Sequence, residues 1–285
     1  MSQADRLRKT YPSDLTDEPW ALVAPLIPPA KAGPRGGRPR QVEMREVLHT
    51  LLSLHRSGCQ WDMLPHDLLP KSTAYDYCAQ WRDDGTWTKL GTALRERTRV
   101  AAGREPTPSA ACIDRQSVKT TEVGGPERGD DGGKKIKGRK RHLLVDTLGL
   151  VFALLIPSAS LDDGVAAVTL LGLVPPQDFP RLITIFADQK YHHHDLATWM
   201  AEQRAAWHLA VKTRPAGTRG FTPLEKRWVI ERTHAWHGRY RRNSKDYERT
   251  IESSTVMIQI SHINLMLKRL SPSDRPAMHY RKEAA

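Results

Sequence analysis

The sequence predicts an α/β protein in which a small all-helical region precedes a mixed β-sheet flanked by helices. Three observations support this fold class. Apolar residues recur at helical spacing up to about residue 83, a Pro- and Gly-rich stretch follows at 101–111, and the apolar residues beyond it fall into short runs typical of strands. We therefore expect residues 1–100 and 112–270 to form two domains joined by a linker at 101–111.

Short helices are predicted in the N-terminal region. Thr16 can cap a helix over about 17–27, helical spacing extends over 42–55, and Ser72 can cap a third helix over 73–83. Helices of this kind suit a helix-turn-helix-like module that reads DNA. They suit a plain helical subdomain equally well.

The C-terminal region is predicted to contain strands first, and then alternating helices and strands. Strands are expected at 111–120, 141–146, 150–156, 182–187 and 207–212. Helices are expected at 162–171, 196–206, 222–240 and 249–269. An order of three strands followed by helix, strand, helix, strand and helices describes an RNase H-like mixed sheet. Residues 271–285 are expected to be a disordered tail.

Charge is the most informative bulk property of the chain. Forty-four Lys and Arg residues against 32 Asp and Glu residues give a net charge of +12, with a pI of about 9.8. Such a balance favours a polyanionic partner, because each cation placed against a phosphate releases condensed counterions. Hydrophobic residues make up 39% of the chain, enough for a core, and no apolar run approaches the roughly 18 residues of a membrane span.

The basic residues are concentrated in three segments that we expect to contact double-stranded DNA. A Pro- and Gly-rich arm at 28–40 carries Arg38 and Arg40 and resembles the hooks that enter the minor groove, although a plain solvated loop fits it as well. Two further clusters are expected to grip phosphates without reading sequence. They consist of Lys134, Lys135, Lys137, Arg139, Lys140 and Arg141, and of Arg239, Arg241, Arg242 and Lys245.

Two aspartates occupy positions that are unusual for surface acids. Asp114 lies within an apolar strand, where a carboxylate without a partner is unfavourable. Asp188 ends the strand 182–187, at the edge where ligands of open α/β sheets collect. Cleavage of a phosphodiester needs an activated water and neutralised phosphate charge, and two Mg²⁺ ions held by carboxylate oxygens supply both. The alternative for each aspartate is a helix cap or a buried, hydrogen-bonded role.

Glu231 is predicted to lie beside the apolar stripe of the helix 222–240. At about 100° per residue it projects near Trp228, and Arg227 precedes it by one turn. A carboxylate at the edge of an inward stripe suits a metal site. The competing explanation is a buried Arg227–Glu231 pair at i, i+4 spacing.

Other metal or redox chemistry finds little support in the sequence. Cys59, Cys78 and Cys112 are odd in number and far apart, which argues against disulfides and zinc sites and favours the cell interior. The three consecutive histidines at 192–194 point in different directions, unlike zinc ligands, and we interpret them as solvated or phosphate-facing. The first 14 residues lack the apolar stretch of a signal peptide.

Four ordered segments of the sequence resemble the successive blocks of insertion-sequence transposases. They are DRQSVKT (114–120), GGKKIKGRKRHLLVDTLGL (132–150), ADQKY (187–191) and RWVIERTHAWHGRYRRNSKDYER (227–249). The resemblance is to the insertion sequence five family, within the wider DDE group. The stretch from Leu15 to about Leu90 also resembles the small helical domain that precedes the catalytic core in that family, so the resemblance covers nearly the whole chain.

This resemblance implies a DDE transposase, which cuts at the terminal inverted repeats of a mobile element and joins the freed 3′-hydroxyl to target DNA. The family's three metal-binding acids correspond to Asp114, Asp188 and Glu231, and its Arg four residues before the Glu corresponds to Arg227, with a DNA-contact or site-organising role. Two Mg²⁺ ions are implied, for which Mn²⁺ can substitute. We expect at least a dimer on DNA, no membrane and no small-molecule substrate, and a nucleoid-associated place in the bacterial cytoplasm.

The chain departs from the family pattern at a few positions. Arg115 stands where Ser is common, Gln189 and Lys190 where a small residue is common, and Asp130 where a Tyr is expected. The basic residue expected seven positions after the glutamate is Gly238 here. None of these changes removes a carboxylate, so we expect the chemistry to be retained.

Two other functions fit parts of the sequence. One is a non-catalytic DNA-binding protein derived from a transposase, against which the intact acids argue. The other is an RNase H-type nuclease or resolvase without strand transfer. It predicts activity on RNA–DNA hybrids or junctions, with no dependence on inverted repeats.

Overall fold

The structure, a computed structural model, describes residues 8–30, 40–122, 124–191, 194–211 and 226–272. Its helices are α1 (Asp17–Val23), α2 (Met44–Ser57), α3 (Lys71–Asp83), α4 (Thr86–Ala101), α5 (Asp163–Gly172), α6 (His194–Gln203), α7 (Trp228–Gly238) and α8 (Ile251–Leu270). Its strands are β1 (Ala110–Lys119), β2 (Gly129–Asp131), β3 (Ile136–Asp146), β4 (Val151–Leu155), β5 (Thr184–Ala187) and β6 (His208–Val211). Within these ranges, no helix combines the length and the apolar character that crossing a membrane requires.

The six strands of the described chain form one mixed sheet. Their order is β2-β3-β1-β5-β6, and β4 also pairs with β3. β1 is antiparallel to β3 and parallel to β5, which in turn is parallel to β6. The helix α6 connects β5 to β6, as parallel neighbours require a crossover. The mixed α/β sheet predicted from the sequence is confirmed.

Helices cover both faces of this sheet. On one face α5 and α6 pack over Ile113 and Ile185, and on the other face α7 and α8 pack over Cys112 and Phe186. Neighbouring residues of β1 therefore enter different cores, because side chains alternate across a strand.

The N-terminal helices share a core with α8, the last helix of the described residues. Side chains of α2 and α4, including Leu51, Trp87 and Leu90, are buried against Ile260 and Ile263 of α8. The core on the α7 side of the sheet also includes a residue of α8, Ile258. The confirmed N-terminal helical region is therefore packed onto an element that lies more than 150 residues later in the chain.

Most predicted elements lie close to their expected bounds, with four differences. No helix is predicted from the sequence at 86–101, where the structure has α4, and no strand is predicted at β2. β3 begins at Ile136, five residues before the predicted strand, because the basic stretch that follows continues the pairing with β1. The helix predicted at 222–240 is shorter within the described chain, where α7 spans 228–238.

Some predicted features lie outside the described residues. These are residues 31–39 of the basic arm, residues 273–285 of the tail, and two of the three consecutive histidines.

Only two residues separate α3 from α4. The helix-turn-helix assignment stays a prediction.

Candidate active site

Asp114 and Asp188 lie where the pairing between the neighbouring strands β1 and β5 ends. Cys112 is the last residue of β1 that pairs with β5, opposite Phe186. Asp114 is two residues further along β1, Asp188 directly follows the last residue of β5, and the charge of Asp188 acts on the pKa of Asp114. Asp114 projects to the face on which Cys112 and Phe186 pack, because it is two residues further along the same strand.

The helix α7 brings Glu231 to this face of the sheet. Val229 and Ile230 are buried in the core that α7 forms with β1 and β5, and Glu231 follows them directly. Its side chain is 47% exposed, and its Oε1 lies 3.6 Å from Nη2 of Arg227, one turn earlier. The i, i+4 ion pair is therefore present, but it is not the buried pair that competes with the metal-ligand explanation, because the Glu231 side chain is half exposed.

The acids influence one another electrostatically. Burial raises the pKa of Asp114 to about 6. A hydrogen bond from the backbone of Arg115 and the charge of Arg227 oppose this increase, whereas the negative charges of Asp188 and Glu231 add to it. A cation at this position would stabilise the ionised carboxylate, which burial and like charges both disfavour.

The donor set suits a hard divalent cation, since all three side chains offer carboxylate oxygens. Over the described ranges, however, no group of three or more His, Cys, Asp or Glu side chains is gathered closely enough to hold a metal ion. Glu231 is turned toward Arg227 instead. The three acids thus lie toward the same face of the sheet without forming a closed ligand cluster. Mutual repulsion of their negative charges accounts for this separation.

Six of the residues expected to contact DNA are exposed: Lys134, Lys135, Lys137, Arg239, Arg241 and Lys245. The three lysines belong to the hairpin between β2 and β3. Although Lys134 is exposed overall, partial desolvation of its ammonium group lowers its pKa, the charges of Arg115 and Lys190 lower it further, and Asp114 has the opposite effect. The hairpin therefore places a cation within the electrostatic reach of Asp114.

The arm and Arg227 have more limited exposure. Arg40 donates hydrogen bonds to the backbone carbonyls of Pro28 and Pro29, at 3.1 and 2.9 Å, which closes the base of the arm. Arg38 lies outside the described residues. Arg227 is 13% exposed and faces Glu231, a position that suits an organising role at the site.

Three basic residues of β3 that were expected to contact phosphates are buried instead. Arg139 donates to the backbone carbonyls of four residues and pairs with Asp246 at 3.3 Å. Lys140 pairs with Asp163 at 2.9 Å, and Arg141 donates to two backbone carbonyls. The phosphate-contact prediction is wrong for these residues, because both faces of β3 are covered and the three side chains are buried against acceptors of the protein itself.

Arg242 is a fourth correction. Its Nε donates to Glu248 at 2.7 Å, and its Nη1 donates to the backbone carbonyl of Cys59 at 2.9 Å. The side chain is buried between the N-terminal helices and the segment after α7. It connects two parts of the protein and is not available to a phosphate.

Arg115 anchors a polar network that the sequence does not reveal. Its guanidinium donates to Asp163 at 2.9 Å, to Ser117 at 2.7 Å and to Asp131 at 2.8 Å. Although burial acts in the opposite direction, hydrogen bonds from Ser117 and from the backbone of Lys134, together with the charge of Arg115, lower the pKa of Asp131 to about 2. The network ties β1 to the lysine hairpin and to α5.

The mixed sheet carries two acids where β1 and β5 stop pairing, a third acid lies on a covering helix, and a basic hairpin is exposed. This is the architecture of a metal-dependent enzyme acting on nucleic acid. Residues 15–91 match the family described as transposases of the IS4/5 family, and residues 105–267 match the transposase DDE domain. Since the second match covers more than half of the chain, the protein belongs to the DDE transposase family.

Relatives from an insertion element agree with this assignment. A protein of Burkholderia cepacia named as a transposase for insertion sequence element IS402 is 27% identical over 180 residues, which cover 60% of this chain and 83% of that protein. An uncharacterized 16.2 kDa protein of the same element is 28% identical over 113 residues, covering 39% of this chain and 76% of that protein. The resemblance found in the sequence is confirmed: the chain is a transposase with a DDE nuclease domain, which implies divalent-metal dependence, DNA substrates and an RNase H-like fold.

Proposed function

We propose that this transposase binds the terminal inverted repeats of its insertion sequence, cleaves DNA there with two Mg²⁺ ions, and joins the freed 3′-hydroxyl to target DNA. The observation that carries this proposal is the position of Asp114 and Asp188 where the pairing between the parallel neighbours β1 and β5 ends. Glu231, on the helix that covers the same face, supplies the third carboxylate.

The carboxylates of Asp114, Asp188 and Glu231 would hold the metal ions. When bound, such ions supply an activated nucleophile and neutralise charge at the scissile phosphate. Arg227 holds the side chain of Glu231 at 3.6 Å and so limits the directions in which this carboxylate can turn. The core around Phe186 keeps water from the inner side of Asp114, which makes each charge interaction there stronger than in solvent.

The exposed cations define a path for DNA phosphates. Lys134, Lys135 and Lys137 project from the hairpin that neighbours Asp114, and Arg239, Arg241 and Lys245 follow the helix of Glu231. Contacts of this kind position the duplex without reading its sequence. Recognition of the repeat is assigned to the N-terminal helices and arm. Because both ends of an element must be cut and joined, the active form would contain at least two copies of the chain.

The proposal is tested by cleavage of labelled DNA that carries the flanking inverted repeats, in the presence of Mg²⁺. We expect nicking at the repeat boundary by the wild-type protein and a loss of about 1000-fold in Glu231→Gln, since removing a metal ligand removes several kcal/mol of transition-state stabilisation. The matched control is Glu202→Gln, because Glu202 is an exposed glutamate on α6, which packs on the opposite face of the sheet.

Three outcomes would contradict the proposal. Binding of the repeat without cleavage by the wild-type protein would favour a non-catalytic DNA-binding protein. Cleavage of RNA–DNA hybrids or junctions, with no preference for the repeat, would favour a stand-alone nuclease. Equal activity of Glu231→Gln and Glu202→Gln would remove Glu231 from the site.

A further inference from the structure

An open groove of about 360 Å³ lies between α4, β4 and α8. None of the three acids lines it. Its walls are largely apolar and include Trp87, Phe152, Leu154 and Ile263. A concave site of this size, with apolar walls and a few polar groups, is typical of places where ligands or peptide side chains bind.

Arg95 provides the charged group of this groove. It is 5% exposed, and its guanidinium lies over the rings of Phe152 and Phe179, at 5.9 and 5.2 Å from their centroids. Its Nε has no hydrogen-bond partner within the part of the chain that the structure describes. The carboxylate of Glu96 is 3.8 Å from Nη2, beyond hydrogen-bond distance. A buried N–H donor of a guanidinium that has no acceptor is unfavourable unless an anion or another acceptor reaches it.

Gly91 keeps the groove open. It lies in the middle of α4 and lines the groove, and a Cβ atom placed on it would have no atom within 4 Å. Glycine is among the least favourable residues in a helix interior. Packing within the chain therefore does not require a glycine here, whereas a side chain at this position would narrow the groove one turn away from Arg95.

The third wall is a strand edge. β4 pairs with β3 along one edge, and its other edge borders the groove. At the start of β4, the backbone N–H of Val151 points to α8 and donates to Nε2 of His262 at 2.9 Å. A strand edge beside a groove between helices is suited to the addition of an extended peptide, whose alternate side chains would enter the groove.

We propose that this groove binds an extended segment of a partner protein, laid along β4, in which an Asp or Glu flanked by apolar residues pairs with Arg95. Charge complementarity selects the acidic residue, because Arg95 is a buried cation whose Nε has no acceptor among the described residues. The apolar walls select its neighbours. This inference does not depend on the chemistry proposed for the three acids.

The test is selection of random eight-residue peptides displayed on phage, against the immobilised full-length protein. We expect enriched peptides to carry an acidic residue flanked by apolar ones. When synthesised, these peptides should bind at least tenfold more weakly to Arg95→Met, and binding should be lost in Gly91→Leu, which fills the groove. Arg97→Met is the matched control, because Arg97 is an exposed arginine of the same helix that does not line the groove.

Several results would overturn the proposal. Among them are no enrichment on the wild-type protein, enriched peptides without acidic residues, and equal binding to Gly91→Leu and wild type. Sodium octanoate, at about 1 mM as suits a weak ligand, is added as a competitor of the bound peptides. Complete displacement of the peptides by octanoate would assign the groove to small amphipathic carboxylates instead. Circular dichroism tests whether each variant is folded. If Arg95→Met is unfolded, the binding measured with Gly91→Leu decides whether the peptides occupy the groove.

Discussion

Buried arginines act as cross-links between distant parts of this chain. Arg139 collects the backbone carbonyls of Glu127, Glu248, Arg249 and Thr250 while it pairs with Asp246. A guanidinium can do this because it presents five donors in one rigid plane, whereas a lysine presents three donors at a single point. The basic stretch of β3 thus stabilises the loops around the site from within.

Replacement of Arg115 by Ser, the residue common in the family, should destabilise this protein. The change leaves the buried carboxylate of Asp131 without its ion-pair partner. Asp163 loses one of its two cationic partners and retains its ion pair with Lys140. We expect the free energy of unfolding to fall by about 2–4 kcal/mol, as when one partner of a buried ion pair is removed. Urea denaturation monitored by circular dichroism measures the loss.

A matched control distinguishes the buried network from ordinary surface charge. Arg181 faces Glu105 at 4.0 Å, and both side chains are well exposed. Arg181→Ser should therefore change the free energy of unfolding by no more than about 0.5 kcal/mol. Equal losses in the two variants would show that the Arg115 network contributes no more than a surface pair.

Single residues differ in how far the sequence reveals them. Asp114 and Asp188 were predictable, because an acid within or directly after an apolar strand conflicts with its surroundings. The roles of Arg139 and Arg141 were not, since the density of charge along a chain says nothing about exposure once a strand is covered on both faces. Arg115 also gave no signal, because its partners lie 16 and 48 residues away.

At the scale of elements, the turn between β3 and β4 is the most constrained connection. Both N–H groups of Leu148 and Leu150 donate to Oδ1 of Asp146, each at 2.8 Å, and Arg99 of α4 pairs with the same carboxylate. Gly149 occupies the left-handed region at φ 81°, where residues with a Cβ atom are strained. The turn is fixed by its own backbone and by a helix from the N-terminal region.

Gly149→Ala should destabilise the protein by about 2 kcal/mol. The added Cβ would lie 2.7 Å from Oγ1 of Thr233 and 3.0 Å from Cζ3 of Trp236, in addition to the strain of the left-handed backbone. Gly172→Ala is the control, because Gly172 ends α5 and its added Cβ would meet nothing within 4 Å. That control should raise stability by about 0.5–1 kcal/mol. Differential scanning calorimetry measures both, and a melting temperature of Gly149→Ala at or above wild type would contradict the prediction.

Elements were predictable where the apolar pattern is long and uninterrupted. The helix α4 is hidden because Gly91 and several threonines interrupt its spacing, although Trp87, Leu90 and Leu94 do recur on one face. The three residues of β2 are too few to show any alternation. They form a strand because they pair with residues 136–138 of β3, and a pattern read within three residues does not include those partners.

At the scale of the whole molecule, a set of buried histidines lies where the parts of the protein meet. His262 accepts a hydrogen bond from the backbone N–H of Val151, so its Nε2 carries no proton, and its Nδ1 lies 3.2 Å from Nε2 of His237. Burial lowers the pKa of His262 to about 3, and it also lowers the pKa values of His55 and His234 to about 3. These side chains are neutral in the folded protein.

Stability should therefore fall as the pH decreases from about 6.5 toward 3. Over this window the unfolded chain, whose histidines have their ordinary pKa near 6.5, takes up protons that the folded chain does not. Each of the three histidines contributes a loss of about 2 kcal/mol at pH 5. Urea denaturation at pH 7, 6 and 5 measures the slope. The exposed His208 supplies the control, since His208→Gln should leave the slope unchanged; a free energy of unfolding that is constant from pH 7 to 5 would refute the prediction.

The position of α8 has a consequence for how such elements can diversify. Its apolar residues complete the core of the N-terminal helices, and Ile258 of the same helix is buried in a core of the sheet. A recombination event that brought in only the first hundred residues from another element would leave that imported region facing an unmatched helix. The N-terminal helical region of this transposase is thus not independent of the rest of the chain: it must be inherited together with a complementary α8.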